Sequence, residues 1–268
     1  MIKINSSFHN HSTFSDGDDS LEDNILSAIS LGVKNLGFSD HAKMNFYQDW
    51  AMTDETEDTY IKSFYKLREK YSSDIKLHLG IEQDVLSPVA RPEYEYIIGA
   101  VHFTMVDGVP YGIDEGFDTF NKLLTSIFKN DYLALAKNYY ADVKSLPEKT
   151  GCQIIAHFDL LTKYNEGNKF FDMHAPKYLE LCGTTLEDLV KKGMIIEVNT
   201  GAISRRYRKS PYPETEVLKI AKDLDAKLIV SADSHKKDNL LYLFDETYKM
   251  LKDLGFSDSS IINNDFLN

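Results

Sequence analysis

The chain has 268 residues, of which 43% are hydrophobic and 27% are charged, a globular composition whose length suits a single α/β barrel. Its formal net charge of −12 argues against a general nucleic-acid binder, and no apolar run approaches the roughly 18 residues of a membrane span. Two cysteines in unrelated contexts, Cys152 and Cys182, favour a reducing cytoplasm and predict neither a disulfide scaffold nor a thiolate metal site.

Short apolar segments alternate with amphipathic ones along the chain. Strands are predicted over residues 2–11, 34–41, 75–85, 94–103, 153–157, 194–199 and 227–231. Helices are predicted from a capping box at Ser20 to Gly32, over 54–71, 117–129 and 131–146, from a capping box at Thr185, from Pro213, and over 239–254. This alternation predicts a parallel sheet, and the absence of a linker favours one domain over residues 1–268. The expected fold class is therefore α/β, a distorted (β/α)7 TIM-like barrel with a loop and two helices inserted at about 104–150.

Histidines and acidic residues recur where the predicted strands end. His9 and His11 are two residues apart and therefore face the same side of the first strand, and Asp16 follows on the next loop. The corresponding positions on the other strands hold His41, Glu82, His102, His157, Asp233 and His235. Barrels of this class build their sites at the C-terminal strand ends. Nine nitrogen and oxygen ligands predict two or three divalent ions, with Glu82 bridging a pair, and imidazole without thiolate favours Zn, Mn or Fe.

Two histidines fall outside this pattern. His78 shares the parity of Glu82 but lies roughly 13 Å deeper along the strand, so we expect a hydrogen-bonded histidine low in the barrel. His174 lies in an irregular aromatic segment and is expected at the surface.

One dense basic patch follows the sixth predicted strand, which ends in Asn199 and offers no histidine or acid there. The patch consists of Arg205, Arg206, Arg208 and Lys209. Arg205 and Arg206 lie closest to the strand, and guanidinium groups bind phosphate in a bidentate fashion. These two arginines and Asn199 are the candidate substrate-binding residues, with an ordinary solvated loop as the alternative.

The order of the motifs resembles that of a known family. The motifs are HNHSTFSDG, FSDH, GIEQD, GAVHF, IIAHFD, EVNTGA and SADSHK, and they span residues 8–236. They resemble those of the PHP (polymerase and histidinol phosphatase) family, which implies a distorted seven-stranded barrel of the PHP type with three metals at the C-terminal strand ends. The resemblance assigns His9, His11, Glu82 and Asp233 to the first metal, Asp16, His41 and His235 to the second, and Glu82, His102 and His157 to the third.

Within that family, the insertion after GAVHF and the arginines after EVNTGA resemble the histidinol-phosphate phosphatases. This implies hydrolysis of L-histidinol phosphate to L-histidinol and phosphate, with water activated by metal, charge on phosphate stabilised by arginine, and Asp233 as proton acceptor. One alternative is a phosphoesterase for nucleotides or nucleic-acid ends, which a basic groove would favour. The other is a metal-binding module without activity, which would lack ligands. The expected partner is a small phosphorylated substrate, and the oligomeric state stays open.

Overall fold

Seven parallel strands form the main sheet of the computed structural model, which describes residues 5–46 and 48–267. In chain order the strands are β1 (Ser6–Ser7), β2 (Asn35–Phe38), β3 (Lys76–Asp84), β4 (Tyr96–Ala100), β5 (Phe103–Val106), β6 (Val109–Gly112), β7 (Ile154–Ile155), β8 (Ile195–Asn199) and β9 (Lys227–Ser231). The main sheet has the order β1-β2-β3-β4-β7-β8-β9, and β5 pairs with β6 in a separate hairpin.

Helices follow most strands of the main sheet, and in the described residues the connection from β3 to β4 contains no helix. The helices are α1 (Leu21–Leu31), α2 (Asp54–Lys70), α3 (Phe117–Lys122), α4 (Tyr132–Thr150), α5 (Pro176–Lys191), α6 (Gly201–Ser204), α7 (Thr215–Asp223) and α8 (Phe244–Asp253). A π-helical turn, Leu123–Ile127, continues α3. No helix in the described ranges is long and apolar enough to cross a membrane.

The sheet closes where its first and last strands end. Asn10, beyond β1, forms a parallel bridge with Ser234, beyond β9. The His11 amide donates to the Ser234 carbonyl at 2.8 Å, and the Ser234 amide donates to the His9 carbonyl at 3.2 Å. The predicted α/β barrel is therefore confirmed, and its closing contact lies at the end that carries the histidines.

Apolar side chains fill the barrel below that end. Because side chains alternate along a strand, residues two apart face the same side. The interior cluster comprises Phe8, Tyr96, Ile98, Ala100, Ile154, Ala156, Ile229 and Phe266. The Tyr96 hydroxyl donates to the Phe8 carbonyl at 2.5 Å, and a Cβ on Gly80 would overlap the Tyr96 ring. Glycine on β3 thus makes room for the Tyr96 ring inside the barrel.

The insertion differs in part from its prediction. Its two helices are confirmed, but the segment predicted as a loop is the β5–β6 hairpin. Asp107 and Gly108 form the hairpin turn with φ of 51° and 78°. Two central residues with positive φ match the right-handed twist of paired strands, which is why Asp-Gly is a frequent hairpin turn. The loop prediction was therefore wrong, although the sequence contained the turn signal.

Several predicted boundaries also differ. The helix predicted from Thr185 already begins at Pro176, and the Thr185 hydroxyl donates to the Leu181 carbonyl inside α5. Proline is favoured in a first helical turn, and a threonine inside a helix can bond to the residue four before it. Pro213 does not start a helix, because α7 begins at Thr215 after a cis Tyr212–Pro213 bond.

The first predicted strand and the last predicted helix are shorter in the structure. The helix predicted over 239–254 begins at Phe244 and follows a 3-10 turn, Lys237–Asn239. The described part of the first strand is Ser6–Ser7, and the predicted residues 2–4 lie outside the described residues. His9 and His11 lie just beyond this strand, where the bridge to Ser234 fixes their backbone.

Candidate metal centre and substrate cavity

Glu82 lies at the centre of the histidine cluster and is only 2% exposed. Its Oε2 atom is 2.9 Å from His41 Nδ1 and 3.3 Å from His9 Nε2. Its Oε1 atom is 3.0 Å from His157 Nε2 and 3.5 Å from His102 Nε2. The two oxygens therefore face different histidines, an arrangement in which one carboxylate can serve two ions.

Asp233 presents its two oxygens to different partners. Oδ1 lies 3.2 Å from His11 Nε2 and 3.6 Å from His9 Nε2. Oδ2 accepts hydrogen bonds from Arg205 Nη2 at 3.0 Å and Asn199 Nδ2 at 3.2 Å. The backbone of Asp233 has a φ of 47°, uncommon for a residue with a side chain. This backbone conformation directs Oδ1 to the histidines, while Arg205 and Asn199 donate hydrogen bonds to Oδ2.

A further group lies at the mouth of the cluster. His235 Nε2 is 3.2 Å from Asp16 Oδ2, and His41 Nε2 is 3.6 Å from Asp16 Oδ1. The His11 ring stacks on the His235 ring at 4.3 Å. Asp16 is the most exposed of these carboxylates, with 32% of its side chain accessible, so this group borders on solvent.

Three sets of side chains bring their ligand atoms within 4.8 Å of one another. The sets are His11, Asp16, His41 and His235; His9, His11 and Asp233; and His41, Glu82 and His102. His9 Nε2 and both ring nitrogens of His11 are buried without a hydrogen-bond partner in the described ranges. Buried nitrogen lone pairs beside carboxylates fit divalent ions such as zinc. The division of the nine residues among three metals stays a prediction, since His11 and His41 each belong to two sets.

The charges of the cluster suit cation binding. Burial raises the pKa of Glu82, but His41, His9 and His102 lower it by more, so this pKa lies well below its usual range. Burial and the neighbouring His235 and His41 lower the pKa of His11 to about 3. Burial lowers the pKa of His9, His41 and His102, but the neighbouring carboxylates raise it by more, so these rings must lose a proton when metal binds. Ionised carboxylates and neutral imidazoles are the forms that bind metal.

A cavity of about 530 Å³ opens above Glu82. Seven of the nine predicted ligands line it, all except His9 and His11, which lie beneath. The remaining lining includes two cations, Lys163 and Arg205, and three carboxylates, Asp49, Asp114 and Glu115. Trp50 also lines the cavity and packs edge-on against His41 at 4.7 Å. The cavity thus combines a candidate metal cluster with charged groups of both signs.

The comparisons with known proteins agree with this geometry. The sequence model of the PHP domain family matches residues 7–201 of the chain. The chain belongs to the PHP domain family. Asp233 and His235 lie beyond the matched range, on the connection after β9, and complete the PHP barrel at its closing bridge.

Curated relatives of this PHP protein share a common name. A probable histidinol-phosphatase of Schizosaccharomyces pombe is 25% identical over 234 residues, 80% of this chain and 74% of that protein. The histidinol-phosphatase of Bacillus subtilis is 22% identical over 250 residues, 85% of this chain and 91% of that protein.

Two solved structures have the same fold. HisK of Listeria monocytogenes superposes with a TM-score of 0.76 at 19% identity, covering 90% of this chain and 98% of its own. Histidinol phosphate phosphatase of Lactococcus lactis, solved with zinc, L-histidinol and phosphate, superposes with a TM-score of 0.68 at 17% identity and covers 95% of both chains. At these identities the superpositions establish the PHP fold.

The predicted substrate-binding residues lie in three different environments. Arg205 lines the cavity beside Asp233 and His235. Arg206 is exposed, with a φ of 64°, and is absent from the described cavity lining. Asn199 is fully buried beneath the cavity, where its amide donates to Glu197 and Asp233 and its oxygen accepts from the Gly201 amide. Direct substrate contact by each of these residues stays a prediction.

Arg208 of the basic patch and the two remaining histidines, His78 and His174, are absent from the described lining of the cavity. Arg208 is buried in an ion pair with Glu214 at 2.6 Å. His78 is buried and lies 3.3 Å from Asn35 Oδ1, in agreement with a hydrogen-bonded histidine low in the barrel, and His174 is exposed as expected.

Sequence reasoning missed several charged residues of the site, which are Glu197, Lys163 and the cavity carboxylates Asp49, Asp114 and Glu115. Glu197 on β8 is fully buried and contacts His9, although the sixth predicted strand offers no acid at its C-terminal end. A single glutamate in the apolar run of this strand, two residues before Asn199 and so on the same face, was the available signal. Lys163 had no such signal, because it reaches the cavity from an irregular segment and is held by Asp114 at 3.0 Å.

Proposed function

We propose that the protein is a metal-dependent phosphomonoesterase that hydrolyses L-histidinol phosphate to L-histidinol and phosphate, as the names of its relatives indicate. The observation that carries the proposal is the position of Arg205, whose guanidinium borders both the carboxylate cluster and the open cavity. A site for phosphate-ester hydrolysis needs this combination of bound cations and a fixed guanidinium.

Arg205 is positioned to bind phosphate oxygens. Its Nη1 donates to the Asp233 carbonyl at 3.0 Å and lies 2.9 Å from His235 Nδ1, and its Nη2 donates to Asp233 Oδ2. These contacts occupy at most three of the five N–H donors of a guanidinium. Since 34% of the side chain is accessible, the other donors are free to take a phosphate from the cavity.

The remaining residues supply ligands and a proton acceptor. Two or three divalent ions of zinc, manganese or iron, when bound by the nine clustered residues, supply a nucleophile from water near neutral pH and polarise the phosphate. We propose that Asp233 accepts the proton of the attacking water. Burial raises the pKa of this carboxyl, but Arg205 and His9 lower it by more, so Asp233 is ionised and able to accept a hydrogen bond from that water.

The cavity favours a cationic leaving group over a nucleotide. Histidinol carries an amine, and Asp49, Asp114 and Glu115 line the same cavity as Arg205. A nucleic-acid substrate would bring further negative charge to these carboxylates and to a chain of net charge −12. A PHP module without activity is also disfavoured, because each of the nine ligand positions holds a residue able to bind metal.

We further propose that the enzyme works in a reducing cytoplasm. Cys152 and Cys182 are both buried and unpaired, as expected where thiols stay reduced. We also propose a small phosphorylated substrate as the partner, with neither nucleic acid nor a membrane.

Phosphate release is the direct test. Protein purified without chelator would be analysed for metal and assayed on histidinol phosphate, a nucleoside monophosphate and an aryl phosphate. We expect more than one transition metal per chain and the highest kcat/KM on histidinol phosphate. Equal or faster turnover of the nucleotide would overturn the substrate assignment, and no turnover by fully loaded protein would overturn the enzymatic function.

A further inference from the structure

Glu197 is buried beneath the cluster and is not among the nine candidate ligands. Its Oε1 atom lies 2.5 Å from His9 Nδ1 and also accepts from the Ser231 hydroxyl. Its Oε2 atom accepts from the His157 backbone amide at 2.7 Å and from Asn199 Nδ2 at 2.9 Å. One carboxylate on β8 thus connects the segments that follow β1 and β7 with β9.

Each of the four partners of Glu197 must donate a hydrogen bond to its carboxylate. A carboxylate accepts at both oxygens, whereas a backbone amide and an asparagine NH2 can only donate. His9 must therefore carry a proton on Nδ1, and in the neutral, metal-binding form of the ring this leaves Nε2 with a lone pair facing Glu82 and Asp233. A carboxylate that fixes the tautomer of a ligating histidine in this way also orients its ring.

The hydrogen bond from the His157 amide to Glu197 positions a histidine that faces the other oxygen of Glu82. His157 has a φ of 25°, outside the conformations that residues with side chains usually adopt. Its amide is held by Glu197 while its Nε2 lies 3.0 Å from Glu82 Oε1. Glu197 therefore constrains both a histidine facing Glu82 Oε2 and one facing Oε1.

We propose that Glu197 is a positioning residue that sets the His9 tautomer and the His157 backbone together, and thereby controls metal affinity on both sides of Glu82. The inference rests on the proposed metal-dependent function, but its test measures metal binding and the state of the His9 ring, so it does not depend on which phosphate ester is cleaved.

Glu197→Gln changes one oxygen to an NH2 group and cannot satisfy the same partners. With its oxygen toward His9, the new NH2 meets two donors, the His157 amide and Asn199. In the opposite orientation, the NH2 faces His9 Nδ1 and favours the proton on Nε2, the nitrogen that faces the carboxylates. Either orientation disturbs a candidate ligand, and loss of such a supporting contact typically costs 10- to 100-fold in metal affinity.

The experiment measures zinc affinity by competition with a chromophoric chelator, together with zinc stoichiometry. The matched control is Glu57→Gln, which changes a buried carboxylate on α2 that accepts from the Tyr94 hydroxyl at 2.6 Å. We expect zinc to bind about 10- to 100-fold more weakly to Glu197→Gln, at reduced stoichiometry, and normally to the control. The metal-free unfolding temperatures of both variants are compared to detect general damage, and zinc affinity equal to wild type in Glu197→Gln would overturn the proposal.

A second measurement uses the wild-type chain and therefore does not require the variant to fold. Nitrogen NMR of histidine-labelled, zinc-loaded protein reports which ring nitrogen of His9 carries a proton. We expect the proton on Nδ1 and a zinc-shifted Nε2, and the opposite tautomer would refute the inference. Protein that shows this tautomer and the zinc defect of Glu197→Gln, yet does not hydrolyse histidinol phosphate, would overturn only the proposed substrate.

Discussion

At the residue scale, Arg205 and Arg206 are neighbours in sequence but face different surroundings. Arg205 borders the cavity, whereas Arg206 is exposed outside its described lining. We expect Arg205→Ala to lower kcat/KM on histidinol phosphate by about 10- to 150-fold, since a charge-assisted hydrogen bond contributes roughly 1.5–3 kcal/mol. Arg205→Lys should restore only part of the loss, because an ammonium cannot form the bidentate contact.

Arg206→Ala is the matched control for this experiment, and steady-state kinetics with metal analysis provide the readout. Arg205 also contacts Asp233 and His235, so metal content must be compared with wild type before a loss is assigned to phosphate binding. Wild-type kinetics in fully loaded Arg205→Ala, or a larger loss in Arg206→Ala, would show that phosphate is held elsewhere.

The candidate ligands could be predicted from the sequence, but not all of the residues that contact and orient the site. His41 and His102 could be recognised because each follows an apolar strand, and parallel strands bring such ends together. Glu197 was overlooked because it lies inside a strand, where its role depends on donors from three other segments. Lys163 depends on Asp114, 49 residues away, and no local pattern encodes that contact.

At the scale of elements, Arg208 fastens the start of α7 to the 3-10 turn Leu160–Thr162. It pairs with Glu214, donates to the Thr162 hydroxyl, and lies 4.7 Å above the Tyr212 ring. We expect Arg208→Ala to lower the free energy of unfolding by about 3–5 kcal/mol, because it leaves buried acceptors without their cation.

Denaturant unfolding of metal-loaded protein measures this effect, with the exposed Arg206→Ala as the reference. A change below about 1 kcal/mol, as is usual for a surface ion pair, would mean that Arg208 does not secure α7. This residue belonged to the basic patch seen in the sequence, but burial separates its role from that of Arg205.

Elements were predictable where one local pattern dominated. β9 has the predicted bounds, Lys227–Ser231, since its apolar core Leu228–Val230 lies between a lysine and a serine. The β5–β6 hairpin was missed because its short strands carry little apolar periodicity, and only the Asp107–Gly108 turn marks them. The start of α5 was misplaced because a capping-box pattern at Thr185 also fits the interior of a helix.

At the scale of the whole molecule, the candidate metal centre joins the two ends of the barrel. His9 and His11 follow β1, and Asp233 and His235 follow β9, on either side of the Asn10–Ser234 bridge. Metal that binds only the native state stabilises it, by about 2.7 kcal/mol for one ion at a hundred times its dissociation constant. Chelation should therefore lower the unfolding temperature by roughly 5–10 °C, and added zinc or manganese should restore it.

Scanning calorimetry of His235→Ala and His174→Ala distinguishes specific from general effects of the chelator. His235→Ala removes a residue of the cluster, so chelation should lower its unfolding temperature by less than that of wild type. His174→Ala removes an exposed residue, so chelation should lower its unfolding temperature as much as in wild type. An unfolding temperature that does not respond to chelation in wild-type protein would argue against metal bound across the barrel closure.

That closure also has a consequence for the order in which the protein is made. Asp16 and His235 lie 3.2 Å apart in space but 219 residues apart in the chain. At roughly 5–20 residues per second, a ribosome needs about 10 to 45 seconds between them. During this interval the histidines near the N-terminus are synthesised but their last partners are not, so complete metal loading must wait until β9 has left the ribosome.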